Sequence, residues 1–231
     1  MAMTDAPLTV EERYVSATHA SNLRVQAERG GPADVIIAAG MSPARLGAAL
    51  LRLHSEYDSA EKPRRMQREA IEVLAQTLPR LPNKALDMKT AHKTAHAWHL
   101  HELKILMGKL KTLPAVRVNM VAWASMNLMA DADKRVAEVL IWWLNHICPV
   151  CEGRGKEKIP GTPSLSYRDC RDCHGTGETP IPRDPEAPEN VAYIRGSQLL
   201  LTHVRGCVHT ARVSIRTRLQ GARKIKTQGQ P

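Results

Sequence analysis

Four cysteines in the second half of the chain form two closely spaced pairs. The sequence reads CPVCEGRG over residues 148–155 and CRDCHGTG over residues 170–177. Two residues between the cysteines of a pair let both thiolates turn toward one metal ion, and two such pairs fill a tetrahedral site. We therefore predict a site for one structural Zn²⁺ ion with four ligands: Cys148, Cys151, Cys170 and Cys173.

Glycines recur at the same positions after each cysteine pair. Glycine adopts positive φ angles readily, which lets backbone N–H groups point toward the sulfur atoms of the ligands. A histidine beside the last cysteine is a spare donor close to the site. We expect these five residues to support the ligands without binding the metal: Gly153, Gly155, Gly175, Gly177 and His174.

Catalytic uses of the cysteines fit the pattern less well. A redox CxxC motif occurs singly at a strand–helix boundary, and a catalytic zinc ion keeps one coordination position open for water. The sequence also contains no G-x-S-x-G motif, phosphate-binding loop or dinucleotide-binding fingerprint. We therefore expect a protein that is not an enzyme and has no small-molecule substrate.

The last part of the chain is strongly basic. No Asp or Glu occurs over residues 190–231, and the whole chain has a formal net charge of +10. Ordinary surfaces mix both signs, so this imbalance favours an anionic partner, with nucleic acid the first candidate. A solvated basic face is the plainer alternative. The predicted contacts with duplex DNA are Arg205, Arg212, Arg216, Arg218 and Arg223.

Helical periodicity gives this segment two distinct sides. All of these arginines except Arg218 fall near one line, because they follow one another by steps of seven, four and seven. An apolar stripe beside that line predicts packing on a core: Val204, Val208, Ala211, Ile215, Leu219 and Ala222. Gly206 leaves open either one helix or a helix-turn-helix-like arrangement with helices at 191–204 and 208–222.

The remainder of the chain has helical patterning. No sustained strand alternation occurs before residue 148, and there is no Phe. Helices are expected at about 9–29, after Ser42-Pro43, and at 62–78, 89–111, 115–128 and 131–147. We therefore predict a mainly α fold: a helical bundle with an inserted four-cysteine zinc module and a helix-turn-helix-like basic C-terminal segment.

Five regions follow from these patterns. They are a helical N-terminal region (1–130), a helix leading into the zinc module (131–147), the zinc module (148–188), a basic nucleic-acid-binding segment (189–222) and a disordered tail (223–231). No segment approaches the roughly 20 apolar residues of a membrane helix, and the N-terminus has no secretory signal. We expect a cytoplasmic protein with no membrane partner, where reducing conditions favour metal binding over disulfides.

The paired knuckles followed by a basic helical segment resemble the zinc-binding half of the lambda-type phage Q antitermination proteins, over about residues 140–220. The CxxCxGxG unit is also similar to one pair of repeats in the cysteine-rich region of DnaJ-type chaperones. That region carries four repeats, and this chain has neither a His-Pro-Asp motif nor a Gly/Phe-rich linker.

The Q resemblance implies a transcription antiterminator in the bacterial host cytoplasm. Such a protein binds double-stranded DNA within a phage late promoter, engages bacterial RNA polymerase during an early pause, and lets it read through terminators. Zinc would fix the helix before residue 148 relative to the one after residue 190. Two alternatives remain open: a chaperone-like protein-binding zinc module, or an RNA-binding zinc protein.

Three further features have plain structural interpretations. We expect Trp143 in the core, Trp142 against the zinc module, and Cys207 as a small buried thiol. We also predict a polar helix face rather than a metal site at His92, His96 and His99.

Overall fold

The structure is a computed structural model that describes residues 9–20, 31–64, 66–81, 85–159, 162, 164–181 and 190–228. Within these residues the chain is mainly α, as predicted. The helices are α1 (Val10–His19), α2 (Pro32–Gly40), α3 (Arg45–Ser59), α4 (Arg68–Thr77), α5 (Met88–Lys109), α6 (Leu113–Met126), α7 (Ala132–Leu144) and α8 (Val191–Gln228). The strands β1 (Lys156–Lys158) and β2 (Leu165–Asp169) form an antiparallel hairpin between α7 and α8.

The first two helices differ from the sequence prediction. The helix expected over 9–29 ends at His19, and residues 21–30 lie outside the described part of the chain. The run GGP at residues 30–32 predicts only the end of a helix. It also begins one that was not predicted, because Pro32 is the first residue of α2, a position where its missing N–H costs little. The carboxylate of Asp34 accepts a hydrogen bond from the N–H of Gly31 at 3.0 Å, which caps α2.

The main core is built around α8, which packs against α2, α3 and α7. Burying one Val, Leu or Ile side chain contributes about 1.5–3 kcal/mol, so the apolar stripe is enough to hold α8 on the body. The predicted packing is confirmed wherever the side chain is described; that of Ala222 is not. The buried members of the stripe are Val204, Val208, Ala211, Ile215 and Leu219, and Leu200 and Leu201 continue the buried side toward the start of α8.

α3 and α8 cross at a point with no room for another side chain. A Cβ at Gly47 would lie 2.0 Å from the carbonyl oxygen of Cys207 and 2.8 Å from the Cβ of Ala211. Glycine at this position therefore lets the two helix backbones approach closely. The crossing fixes α8 near its middle.

α8 is one continuous helix of 38 residues that passes through Gly206. The turn expected at 205–207 is therefore not formed, and the helix-turn-helix-like arrangement is wrong. A glycine in a helix interior costs about 0.5–1 kcal/mol relative to alanine, but Val204 and Val208 on either side are buried in the same core, and their burial outweighs this cost. The prediction of a disordered tail is also wrong for residues 223–228, which continue α8.

α4 and α5 form a hairpin with a small core of their own, made by Ile71, Ala75, Ala91 and Ala95. α4 begins later than the predicted start at residue 62, because the segment KPRRMQ offers only Met66 for burial, and Met66 is exposed. The last turns of α5 join the main core. None of the described helices combines the length and hydropathy that a membrane span requires.

Candidate metal centre

The four predicted cysteine ligands lie together between α7 and α8. All four are buried, and their sulfur atoms lie within 4.8 Å of one another. The Sγ atoms of Cys148 and Cys170 are 4.0 Å apart, and those of Cys151 and Cys173 are 3.6 Å apart. Within the described ranges, no other group of three or more His, Cys, Asp or Glu side chains is arranged to hold a metal ion.

These separations fit one metal ion bound by four thiolates. With the metal–sulfur distance of ~2.3 Å found in zinc sites, the sulfur atoms of a regular tetrahedron lie about 3.8 Å apart. A disulfide requires a sulfur–sulfur distance of about 2.05 Å, and all four cysteines are free. The centre therefore has the donor set and the spacing of a closed tetrahedral metal site.

The two cysteine loops hold each other in a reciprocal arrangement. The N–H of Cys148 donates to the carbonyl oxygen of Gly177 at 2.8 Å, and the N–H of Cys170 donates to that of Gly155 at 2.8 Å. In each bond, the first cysteine of one loop donates to the last glycine of the other loop. Each loop therefore fixes the start of the other, and neither can complete the site alone.

The glycines after each cysteine pair have the predicted positive φ angles, between 72° and 86°. The N–H of Gly155 donates to Sγ of Cys151 at 3.3 Å, and the N–H of Gly177 donates to Sγ of Cys173 at 3.2 Å. The expectation that backbone N–H groups point at sulfur is confirmed at these two positions. A Cβ at either one would lie 2.4 Å from a carbonyl oxygen of the opposite loop, that of Gly175 or Gly153.

Ionisation differs between the thiols. Burial raises the pKa of the Cys148 thiol to about 11, against hydrogen bonds from the N–H groups of Cys151 and Val150. Burial acts in the same direction at Cys151, but the N–H of Gly155 and the neighbouring thiols outweigh it and lower the pKa of Cys151 to about 7. Cys151 is therefore the easier of the two to convert to the thiolate that binds metal.

His174 contributes to the centre through its backbone. Its N–H donates to the carbonyl oxygen of Cys170 at 2.8 Å, and its φ angle is 50°. Its imidazole is exposed. The residue therefore serves as a turn position in the second loop.

Residues 148–181, here called the metal module, are joined to both α7 and α8. The indole Nε1 of Trp142, in the last turn of α7, donates to the carbonyl oxygen of Thr179 at 3.0 Å. On the other side, Nη2 of Arg205 on α8 lies 3.8 Å from the Glu178 carboxylate. The expected position of Trp142 against the module is confirmed, but Trp142 is also the buried member of the main core, whereas Trp143, expected in the core, is half-buried at its edge.

α7 and α8 also contact each other without the metal module. The guanidinium of buried Arg135 lies over the ring of Tyr193, 4.3 Å from its centroid. A Cβ at Gly196 would lie 1.8 Å from Nη1 of Arg135, so glycine makes space for this side chain. The sequence prediction held that zinc fixes the position of α7 relative to α8. Direct packing between the two helices also contributes to that position.

The continuous helix separates the predicted DNA contacts into two groups. Arg205, Arg212 and Arg216, here called the α8 arginine row, are exposed along one side of the apolar stripe. Burial lowers the pKa of Arg212. Arg218 is also exposed, but two residues of helix turn it about 200° from Arg216, so it lies on the other side of the stripe. The side chain of Arg223 lies outside the described residues.

Cys207 is half-buried next to His203, with its Sγ 3.6 Å from Nε2. The imidazole of His203 in turn stacks on the indole of Trp123, with ring centroids 3.9 Å apart and an angle of 8° between the planes. Burial lowers the pKa of His203 and raises that of Cys207. Both shifts favour the neutral forms of the two side chains over a thiolate–imidazolium pair.

No protein-family model matches the chain, and no curated protein or solved structure matches it either. The metal centre and the exposed side of α8 are therefore the features from which a function can be inferred.

Proposed function

We propose that the protein is a DNA-binding transcription antitermination factor that acts on bacterial RNA polymerase at phage late genes. In this proposal one structural Zn²⁺ ion occupies the metal centre. Duplex DNA binds to α8 through Arg212 and Arg216. The observation that carries the proposal is the exposed arginine pair on a long helix that contains no acidic residue.

The composition and position of α8 support DNA binding. Exposed guanidinium groups one helical turn apart can contact successive phosphates, and their planar donor forks also match a guanine edge. The adjacent side of the helix is held in the core, so the arginines are presented on a rigid support. Arg205 forms an ion pair with Glu178, and we therefore assign it mainly to holding the metal module.

Zinc is the metal that best suits the centre. Four soft thiolate ligands at these separations fit tetrahedral Zn²⁺, and the closed ligand set suits a scaffold rather than a catalyst. The two N–H···S hydrogen bonds stabilise the thiolate form that Zn²⁺ requires. Metal analysis of purified protein by mass spectrometry tests this part: one zinc per chain is expected, and iron or no metal would contradict it.

Antitermination is the narrower part of the proposal and rests on the resemblance of the knuckles and the following basic helix to Q proteins. It is tested by transcription in vitro with bacterial RNA polymerase, on a template with a promoter-proximal pause and a downstream terminator. Increased read-through that depends on the metal-loaded protein is expected. Unchanged read-through on phage late promoters would remove antitermination and leave DNA binding to be judged separately.

DNA binding is tested by fluorescence anisotropy with a labelled duplex. The double variant Arg212→Ala, Arg216→Ala is expected to weaken binding about tenfold or more at low salt. It is also expected to reduce the slope of log affinity against log salt by about two, because two phosphate contacts are lost. Arg218→Ala is the matched control, since it removes the same side chain from the other side of α8.

The rivals give different results in the same experiment. A chaperone-like module would bind unfolded peptide with little dependence on salt, whereas contacts with phosphates weaken steeply as salt rises. An RNA-binding protein would prefer single-stranded RNA to duplex DNA of equal length. If the double variant binds duplex DNA as tightly as the wild type, the α8 surface is not the DNA site.

A further inference from the structure

α5 has an exposed side that is rich in basic residues and is separate from the α8 arginine row. Its members are exposed and fall within about 120° of the helix circumference at 100° per residue. We call this side the α5 cationic face: Lys89, His92, Lys93, His96 and Lys104.

This face contains no acidic side chain of α5. The one acid in the helix, Glu102, lies two residues from Lys104, which places it about 160° away around the axis. At the start of α5, the Asp87 carboxylate accepts hydrogen bonds from the N–H and Oγ1 of Thr90, at 3.0 and 2.6 Å. Within the described ranges, none of the three lysines forms an ion pair with a carboxylate.

The side of α5 that borders this face is the one that packs. Ala91 and Ala95 form the hairpin core with Ile71 and Ala75 of α4, and His99 is buried next along the same side. The prediction of a polar face at all three histidines is therefore wrong for His99, whereas His92 and His96 are exposed. His92 and His96 border a small cavity that Ile71 of α4 also lines, whereas the three lysines of the cationic face are exposed.

The length of the face suits an extended polyanion. From Lys89 to Lys104 the helix rises about 22 Å, which equals roughly six base-pair steps of 3.4 Å along a DNA duplex. Lysine ammonium groups act as mobile point charges that suit phosphates rather than base edges. Apart from the imidazoles of His92 and His96, the face offers no aromatic ring on which an unpaired base could stack.

We propose that the α5 cationic face binds the sugar–phosphate backbone of duplex DNA, as a second contact separate from the α8 arginine row. It rests on the proposed function in one respect, namely that the partner is DNA. The face adds affinity and a longer footprint without adding sequence preference, because phosphate contacts carry no base information.

The test uses the full-length, metal-loaded protein and a labelled duplex of about 40 base pairs. The triple variant Lys89→Gln, Lys93→Gln, Lys104→Gln is compared with Lys109→Gln, Lys111→Gln, Lys134→Gln, which removes equal charge from exposed lysines elsewhere. The first variant is expected to lose about tenfold or more in affinity at low salt, and about three from the salt slope. The second variant is expected to bind within about twofold of the wild type.

The α8 double variant, measured alongside, separates this proposal from the proposed function. Loss in the α8 variant with none in the α5 variant overturns the second contact and leaves the first. Loss in the α5 variant alone retains the second contact and removes the α8 site. Equal loss in both lysine variants reflects net charge and overturns the α5 proposal, as does a loss seen with single-stranded RNA but not with duplex DNA.

Discussion

The indole of Trp142 donates a hydrogen bond to the carbonyl oxygen of Thr179 across 3.0 Å. Thr179 also donates its N–H to the carbonyl oxygen of His146, at 2.7 Å. The entry and the exit of the metal module are therefore tied to each other at the end of α7. This connection uses no metal ligand.

Replacing Trp142 by Phe tests the connection. The variant keeps most of the buried ring but removes the donor, which leaves the Thr179 carbonyl without that partner. We expect a loss of about 0.5–1.5 kcal/mol in the free energy of unfolding, measured by urea denaturation. Trp98→Phe is the control, because Trp98 is half-exposed on α5. An unchanged midpoint for Trp142→Phe would show that this bond does not stabilise the module.

Metal removal is expected to unfold the metal module and leave the helical body folded. The described residues of the module have no apolar core apart from the cysteines, so metal binding supplies much of its folding free energy. α8, by contrast, is buried against α2, α3 and α7. We expect chelation to abolish the amide resonances of Gly155 and Gly177 while the far-ultraviolet circular dichroism falls by less than about a tenth. Collapse of the whole helical signal would mean that the body depends on the metal.

Gly47→Ala is expected to destabilise the protein, although alanine ordinarily favours a helix by about 1 kcal/mol. The new Cβ would overlap the carbonyl oxygen of Cys207 at 2.0 Å, and both helices would have to move apart. We expect a loss of about 1–3 kcal/mol by urea denaturation.

Gly206→Ala is the matched control, since a Cβ there meets nothing within 4 Å. It is expected to stabilise the protein by about 0.5–1 kcal/mol. A large loss at Gly206 would indicate that the chain needs a glycine turn there, and so would contradict the continuous helix.

Acid is expected to weaken the packing of His203 on Trp123. Burial lowers the folded-state pKa of His203, so below the ordinary histidine value of about 6.5 the unfolded chain binds more protons than the folded one. The contribution of His203 is therefore full above that value and is lost as the pH falls through it. We expect stability to decrease from about pH 8 to about pH 5.5, and His203→Gln to reduce the decrease. An identical pH profile in the variant would remove His203 as a cause.

The metal centre could be predicted because its chemistry is local in sequence. Two residues between ligands and a glycine at a fixed offset define each loop, and Gly155 shows the predicted φ angle and N–H···S bond. The strands between the loops were not predicted, because KEK has no apolar residue and the alternation in LSYRD covers only Leu165 and Tyr167, which are both exposed. The ion pair of Arg205 with Glu178 joins distant segments, and no sequence feature distinguishes Glu178 from other exposed acids.

The position of the arginines depends on whether the backbone continues as a helix through Gly206. With a turn at Gly206, the sequence left the relation of Arg205 to Arg212 open. One continuous helix places Arg205 at a fixed angle to Arg212 and Arg216, so the three form one row. Glycine alone could not decide between the two arrangements, because the deciding contribution is the burial of Val204 and Val208 against residues far away in sequence.

The closed set of four cysteine donors also has an electrostatic consequence for the part of the molecule around it. Residues 148–178 contain five basic and five acidic side chains, so they are neutral before the thiols ionise. Four thiolates around a divalent cation leave about two negative charges. A metal-loaded module would therefore repel a polyphosphate chain, and under the proposed function approaching DNA would be directed away from it toward the lysine and arginine surfaces of α5 and α8.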